Sequence, residues 1–185
     1  MMLYPIGQVS VCVCLNHLKF CISYSNTILL YSERAVAFLI GCSFSYDGAL
    51  LDAGIPLRSV EQNKNIPMYK TNIPCRPAGS LSGNVVVSMK PIKSTQIAKE
   101  VEIASKYPHA HGGPICVGCP ESIGIQDINN PDWGDSVEIL PDELPVFHMC
   151  GITPQNVLME SGVSFAITHC PGHMFITDLP SDTVI

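Results

Sequence analysis

The stretch VVVSMKPIKSTQIAKEVEIASKY, residues 85–107, decides the fold because it joins a β-prone run to a helical one. The run VVVSM is rich in valine, whose branched side chain favours strands. We expect this strand to end at Pro91, because proline has no amide hydrogen to donate to a neighbouring strand. A strand that leads into a helix is typical of an α/β fold.

The second half of the same stretch predicts a helix over residues 94–107. Its apolar positions recur in steps of four and three, with charged residues on the other faces: Ile97, Val101 and Ala104. Ser94 or Thr95 is the expected N-cap, because a short hydroxyl side chain can accept a hydrogen bond from the first free amides of a helix. We therefore expect an amphipathic helix directly after the strand.

Short apolar runs and turns alternate in the rest of the chain. Residues 46–53 predict a short helix that ends at Gly54. Residues 66–83 are rich in Pro, Asn, Gly and Ser and predict a loop that leads into the strand. Further short strands are expected within three segments: 109–120, 145–155 and 165–178. Strands and helices that mix in this way predict one α/β unit.

The composition is that of a folded domain with few charges. The chain has 185 residues, 46% hydrophobic and 14% charged, so enough apolar surface is available for a core. The net charge of −6 and the lack of a Lys/Arg cluster argue against a nucleic-acid partner. The nine cysteines are irregularly spaced and odd in number, which does not indicate a disulfide framework and favours a reducing compartment.

The N-terminal region is the most apolar part of the sequence. Its runs VSVCVCL and TILLY are separated by Asn16, His17 and Lys19 before a membrane-spanning length is reached. We therefore expect no transmembrane helix. No presequence is visible either, because Lys19 is the first basic residue and no Arg-rich amphipathic helix precedes it.

Four motifs occur in the chain in order: FLIGCSFS at 38–45, PMYKTNIPCRPAG at 67–79, CGITPQ at 150–155 and ITHCPGHMFITD at 167–178. Each alone is a weak signal, but the ordered series, with RSVEQNKN, VVVSMKPI and HGGPICVG between them, is specific. Over residues 36–178 the chain resembles the hydro-lyase family that includes D-glutamate cyclase. Residues 1–35 do not resemble this family, whose chains extend further at the N-terminus. We therefore expect an atypical N-terminal segment and a truncated, partial family domain over 36–185.

The resemblance implies an α/β fold with a mixed sheet, flanking helices and two closely associated lobes. For animal members it implies conversion of D-glutamate to 5-oxo-D-proline with loss of water in the mitochondrial matrix, and otherwise a cytoplasmic location. The expected partner is a small carboxylate substrate, with no cofactor, no nucleic acid and no membrane. A homo-oligomer is compatible with these expectations.

A substrate like glutamate needs groups that hold its two carboxylates. Arginine and amide side chains suit this role, and three of them lie in polar, turn-rich stretches: Arg58, Arg76 and Asn72. The hydroxyls of Ser43 and Ser45 are further candidates, because a hydroxyl can donate a hydrogen bond to a carboxylate. The same two side chains would also suit the N-cap of the helix that follows Tyr46.

Ring closure of such a substrate also needs a base for the amine and an acid for the departing hydroxide. We hypothesise that His169 and Glu61 fill these roles, with His111 as a further candidate. Cys42 is a candidate nucleophile if a helix N-terminus stabilises its thiolate. A free cysteine after an apolar run more often packs as a small hydrophobic residue.

Two other interpretations are left open by the sequence. The first is a non-catalytic, ligand-binding remnant of the family, which predicts binding without turnover. The second is a zinc-stabilised interaction domain, since two imidazoles and two thiolates can complete a tetrahedral site: His109, His111, Cys116 and Cys119. The single residue between the two histidines is atypical of zinc sites, and the other histidine pair, His169 and His173, has no identifiable third ligand, so we expect no metal.

Overall fold

The computed structural model describes residues 9–15, 18–24, 38 and 40–172. Seven strands are present in this part of the chain: β1 (Val9–Leu15), β2 (Leu18–Tyr24), β3 (Met68–Pro74), β4 (Asn84–Lys93), β5 (Cys116–Val117), β6 (Glu143–Met149) and β7 (Phe165–His169). Four α-helices accompany them: α1 (Asp47–Asp52), α2 (Arg58–Glu61), α3 (Ile97–Ala104) and α4 (Thr153–Glu160). The expected α/β class with flanking helices is confirmed.

The strands form two sheets, and every pairing among the described strands is antiparallel, whereas the resemblance implied a mixed sheet. The smaller sheet has the order β2-β1-β7, and the larger one has the order β3-β4-β6-β5. Strand β4 is central in the larger sheet and is buried along nearly its whole length. Helices α1 and α3 pack on one face of this sheet, and the segment of residues 120–139 packs on the other.

Strand β4 does not end at Pro91, as the sequence predicted, but continues to Lys93. Pro91 lies opposite Pro145 of β6. Pro145 directs its carbonyl away from β4 and accepts a hydrogen bond from the amide of Gly118 beside β5. The two prolines therefore form a non-hydrogen-bonded pair, in which neither missing amide hydrogen interrupts the ladder between β4 and β6.

The prediction of a loop over residues 66–83 was wrong for its first half, which forms β3. Met68, Tyr69 and Thr71 are buried, whereas Lys70 and Asn72 are exposed. Buried and exposed side chains therefore alternate along most of the strand. The Thr71 hydroxyl donates a 2.8 Å hydrogen bond to the carbonyl of Val85 on β4. The polar composition of this edge strand concealed its alternation.

The helix predicted over 94–107 is confirmed as a 3-10 turn, Ser94–Gln96, followed by α3. Neither Ser94 nor Thr95 caps it through a side chain, because the N-cap position of α3 is Gln96, the last residue of the 3-10 turn. Its buried positions are Glu100, Ile103 and Ala104. A carboxylate thus lies on the side that faces the sheet.

The short helix predicted before Gly54 is also confirmed. A 3-10 turn, Ser43–Tyr46, leads into α1, and Gly54 adopts a left-handed φ of 75° just beyond its end. Tyr46 and Leu50 of this unit pack against Ile103, Ala104 and Val146 in one part of the core. In the described part of the chain no helix is long and apolar enough to cross a membrane.

Candidate functional site

Polar side chains gather on the face of β4 and β6 that α1 and α3 cover. We call them the buried polar cluster, and its members are Cys42, Tyr46, Asp47, Lys90, Glu100, His111, His148 and Cys150. Ion pairs, ring contacts and electrostatic interactions link them into one group. Several polar atoms here are buried without a hydrogen-bond partner: Tyr46 Oη, Glu100 Oε2 and His111 Nε2. Unpaired buried polar atoms are costly to a fold, so their concentration at one place indicates a functional site.

Lys90 contributes a buried positive charge from the centre of the sheet. Its Nζ lies 2.5 Å from Asp47 Oδ1, and its side chain is 6% exposed against 20% for Asp47. The ammonium also lies 4.5 Å from the centre of the Tyr46 ring, at the distance of a cation–π contact. Burial by itself lowers the pKa of Lys90, but the attractions of Asp47 and Tyr46 outweigh it and raise that pKa above its ordinary value.

Glu100 and His148 form a second pair, and both side chains are fully buried. His148 Nε2 lies 2.8 Å from Glu100 Oε1, although the contact lacks hydrogen-bond geometry. On the other side of the ring, Nδ1 lies 3.3 Å from the carbonyl of Gly112, which can only accept, so Nδ1 carries a hydrogen. A carboxylate and an imidazole therefore lie in direct contact on the buried face of the sheet.

Tyr46 lies between these two pairs. Its ring centre is 5.8 Å from those of Tyr107 and His148. Burial raises the pKa of Tyr46 to about 12, with the nearby Lys90 opposing this effect. The phenol is therefore neutral at physiological pH and keeps its hydrogen as a donor.

His111 has an unusual backbone and a free ring nitrogen. Its φ of 80° lies in the left-handed region, which a residue other than glycine seldom adopts. The backbone of Gly41 lies close to its ring, and its Nε2 is buried without a hydrogen-bond partner. Burial, followed by repulsion from His148, lowers the pKa of His111, so the imidazole is neutral at physiological pH.

Two thiols complete the cluster. Cys42 precedes the 3-10 turn and Cys150 follows β6. Burial raises the pKa of Cys42, and it raises the pKa of Cys150 to about 12. Both groups are therefore protonated at physiological pH, and the thiolate that a nucleophilic Cys42 requires is not stabilised in this environment.

This thiol chemistry predicts slow alkylation of the cluster. We expect Cys42 and Cys150 to react with iodoacetamide at pH 7.5 at least about tenfold more slowly than the exposed Cys119, because thiolate is the reacting form. Peptide mass spectrometry at a series of reaction times measures all three rates in one sample. A Cys42 rate equal to that of Cys119 would restore Cys42 as a candidate nucleophile.

Ser43 and Ser45 lie beside the cluster, in the 3-10 turn that leads into α1. Ser43 is buried and Ser45 is half-buried. Neither caps the helix that follows Tyr46, because the N-cap position of α1 is Tyr46 itself and it receives no side-chain hydrogen bond. Of the residues that the sequence singled out, the structure brings together these two serines, Cys42 and His111.

Arg58 and Glu61 lie apart from the cluster and are paired with each other on α2. Arg58 Nη1 lies 2.9 Å from Glu61 Oε2, and Nη2 lies 2.5 Å from Glu143 Oε1. The Glu143 side chain is 1% exposed, so Arg58 joins α2 to the start of β6. In the described structure these contacts give Arg58 an architectural role, and its role in substrate binding stays a prediction.

The remaining predicted site residues are dispersed. Arg76 is exposed in the loop after β3, and Asn72 is exposed on β3 itself, beside Gly124. His169 ends β7, where Gln155 Nε2 lies 3.1 Å from its Nδ1 and donates a 2.9 Å hydrogen bond to its carbonyl. The catalytic role of His169 and the binding roles of Arg76 and Asn72 stay predictions.

The sequence analysis did not predict three members of the cluster as site residues: Lys90, Glu100 and His148. Each left a signal in the sequence. Glu100 lies three positions after Ile97 and three before Ile103, so its carboxylate interrupts an apolar stripe. Lys90 and His148 stand within strands that are otherwise almost fully apolar and buried.

The zinc interpretation receives no support from the described residues. Nowhere among them do three or more His, Cys, Asp or Glu side chains lie close enough to hold a metal ion, and this includes the set His109, His111, Cys116 and Cys119. The Cys116 thiol instead donates to the carbonyl of Cys119 at 3.3 Å. His173, the partner proposed for His169, lies outside the described residues.

Comparison with known proteins places the chain in a family. The sequence model of one family, D-glutamate cyclase, matches residues 36–178. A relative from Agrobacterium fabrum is 57% identical over 81% of this chain and 56% of its own length. One from Corynebacterium jeikeium is 54% identical over 80% of this chain and 55% of its own, and one from Staphylococcus haemolyticus is 52% identical over 81% and 58%.

The names of these three relatives assign them provisionally to the hydro-lyases and state no substrate. The chain spans little more than half the length of each of them. The family match includes the whole buried polar cluster, from Cys42 to Cys150. On the strength of that match and of these identities, the chain belongs to the D-glutamate cyclase family.

Proposed function

We propose that this chain belongs to a lyase that closes D-glutamate to 5-oxo-D-proline with loss of water. The observation that carries the proposal is the family match over residues 36–178, which encloses the buried polar cluster. The hydro-lyase names of the relatives agree with a reaction that eliminates water. D-Glutamate itself is the finer part of the proposal, since the relatives' names give no substrate.

The proposed reaction defines what the site must supply. The α-amine nitrogen attacks the carbon of the distal carboxylate, an N–C bond forms, and a C–O bond breaks. Two protons pass from the nitrogen to the departing oxygen, which leaves as water, so no oxidant or external acid is consumed. The protein has to hold the chain folded, neutralise carboxylate charge and carry protons.

The cluster contains groups that suit these tasks. Lys90 is a buried cation, and cations bind carboxylates with charge-assisted hydrogen bonds. The neutral phenol of Tyr46 is a hydrogen-bond donor without a partner. Positioning the amine against the carboxylate can lower the barrier by about 7 to 11 kcal/mol in the best intramolecular cases. Much of the proposed catalysis would then come from holding the substrate in a bent conformation.

The proposal predicts a stereospecific product. The purified full chain, incubated with D-glutamate, is expected to form 5-oxoproline, and L-glutamate is expected to remain unchanged. Proton NMR time courses measure both, together with the reverse reaction from 5-oxo-D-proline. Heat-unfolded protein serves as the control for spontaneous cyclisation.

Two outcomes would contradict this proposal. Equal rates with both enantiomers would indicate uncatalysed chemistry or a different substrate. A folded chain that binds D-glutamate without forming lactam would instead favour the ligand-binding remnant. Either result leaves family membership intact, because that rests on sequence identity.

A further inference from the structure

We propose that Cys116 and Cys119 are a redox-active dithiol, which closes to a disulfide on reaction with a low-molecular-weight disulfide. The two residues form a Cys-x-x-Cys motif in the stretch CVGC. Two residues between the cysteines is the spacing found in thiol–disulfide oxidoreductases. The motif lies outside the buried polar cluster, so the proposal is independent of the lyase reaction.

The chain bends between the two cysteines and brings them together. Cys116 belongs to β5, and Cys119 directly precedes the 3-10 turn Pro120–Ile123. Between them Gly118 has a left-handed φ of 82°, which glycine adopts readily in tight turns. The Cys116 Sγ lies 3.3 Å from the carbonyl oxygen of Cys119. The first sulfur therefore contacts the residue that carries the second, as a disulfide requires.

Backbone hydrogen bonds to β6 hold this bend on both sides. The amide of Ile115 donates a 2.9 Å hydrogen bond to the carbonyl of Phe147, and the amide of Gly118 donates one of 2.9 Å to the carbonyl of Pro145. Cys116 itself lies opposite Phe147 in the ladder. These bonds use backbone atoms alone, so a change at the sulfurs leaves the pairing with β6 in place.

Oxidation also leaves the nearby polar groups satisfied. The Cys119 carbonyl accepts from the Ser122 hydroxyl at 2.6 Å and from the Ser122 amide at 3.1 Å, as well as from the Cys116 thiol. When Cys116 loses its hydrogen, Ser122 continues to donate and no buried acceptor is left unpaired. The Ser122 Oγ lies 3.6 Å from the Cys116 Sγ, so its hydroxyl can rotate and donate to a thiolate there.

The difference in exposure sets the order of the two steps. Cys119 is exposed, whereas Cys116 is half-buried against the core beside Phe147. The Cys119 thiolate attacks one sulfur of the small disulfide, the S–S bond of that molecule breaks, and a mixed disulfide forms. The Cys116 thiolate then attacks the Cys119 sulfur and releases the second small thiol. The cysteine pair loses two electrons and two protons, and the small disulfide takes them up as two thiols.

The test follows the reaction of the purified chain with glutathione disulfide. Samples are quenched with acid at a series of times, alkylated and analysed by peptide mass spectrometry. We expect the peptide with a Cys116–Cys119 disulfide to accumulate, and dithiothreitol to reverse it. In Cys116→Ser the second step is blocked, so the glutathione adduct on Cys119 should persist at a level at least about tenfold above that in the original chain.

Two further variants complete this experiment. Cys119→Ser should react at least about tenfold more slowly than the original chain, because the half-buried Cys116 is then the attacking thiol. Cys75→Ser is the matched control, since Cys75 is a free, partly exposed cysteine outside the motif, and it should form the same disulfide at the same rate. Circular dichroism confirms that each variant is folded. An adduct on Cys119 that persists in the original chain as it does in Cys116→Ser would overturn the proposal.

A second measurement tests whether the fold brings the two thiols together. The chain is equilibrated in glutathione buffers of different thiol-to-disulfide ratios, once folded and once in concentrated urea. We expect the folded chain to keep its disulfide at a ratio at least about tenfold more reducing than the unfolded chain does, because the bend holds the thiols near each other. Equal ratios for both states, or a disulfide that joins Cys119 to a different cysteine, would overturn the proposal.

Discussion

Replacing Gly41 by alanine is expected to destabilise the folded chain by about 3 kcal/mol or more, the upper range for forcing an extra group into a packed interior. A Cβ at this position would lie 1.8 Å from the carbonyl oxygen of His109 and 2.8 Å from its carbonyl carbon. These are backbone atoms, so no side-chain rotation relieves the overlap. The segment that carries His111 has to move instead.

The same change should also affect the candidate site. The backbone of Gly41 lies close to the His111 ring, so displacement of either segment changes the surroundings of that ring. Urea unfolding followed by circular dichroism measures the loss of stability, and the histidine NMR spectrum reports the changed surroundings of the His111 ring. We expect both changes in one variant.

Gly48→Ala provides the matched control for this experiment. Gly48 lies in α1, and a Cβ there would meet no atom within 4 Å. Alanine is the better helix former, so this variant should be unchanged or more stable by about 0.5 to 1 kcal/mol. If Gly41→Ala unfolded at the same urea concentration as Gly48→Ala, the close packing of Gly41 against His109 would be disproved.

Asp47→Ala is expected to cost about 3 to 5 kcal/mol of unfolding free energy, the usual penalty for removing one partner of a buried ion pair. In this variant the ammonium of Lys90 loses its ion-pair partner. Its side chain is only 6% exposed, so water does not replace the lost carboxylate. The opposite change, Lys90→Met, should cost less, because Asp47 is 20% exposed and can be hydrated. Urea unfolding of both variants measures this asymmetry.

Asp52→Ala is the control, since Asp52 is an exposed carboxylate at the other end of the same helix. A negative charge near a helix C-terminus is unfavourable, so its removal should be neutral or slightly stabilising. The double variant Asp47→Leu with Lys90→Met should recover much of the stability lost in Asp47→Ala, because an apolar pair needs no charge compensation. Equal stabilities for Asp47→Ala and Asp52→Ala would show that Lys90 does not depend on Asp47.

Local patterns in the sequence predicted the elements that depend on neighbours along the chain. Helix α3 followed from its apolar spacing, and the end of α1 followed from Gly54, because both depend on residues within a few positions. Strand β3 was missed, since its residues become a strand only by pairing with β4. The sequence also did not predict that β4 continues beyond Pro91. This depends on Pro145 of β6, which lies opposite Pro91 in a pair that needs no amide hydrogen.

For the candidate site, too, the sequence predicted some features and the tertiary structure decided the others. The ordered motifs of the sequence by themselves determined the family, and they singled out Cys42 and His111 as chemically competent side chains. Only the tertiary structure decided that Lys90 meets Asp47 and that Glu100 meets His148. Each of these contacts joins elements distant in sequence, and sequence patterns specify which face of an element is apolar but not which residue lies across the interface. A buried charge is stable only beside a partner of opposite charge, and the tertiary structure decides which residue is that partner.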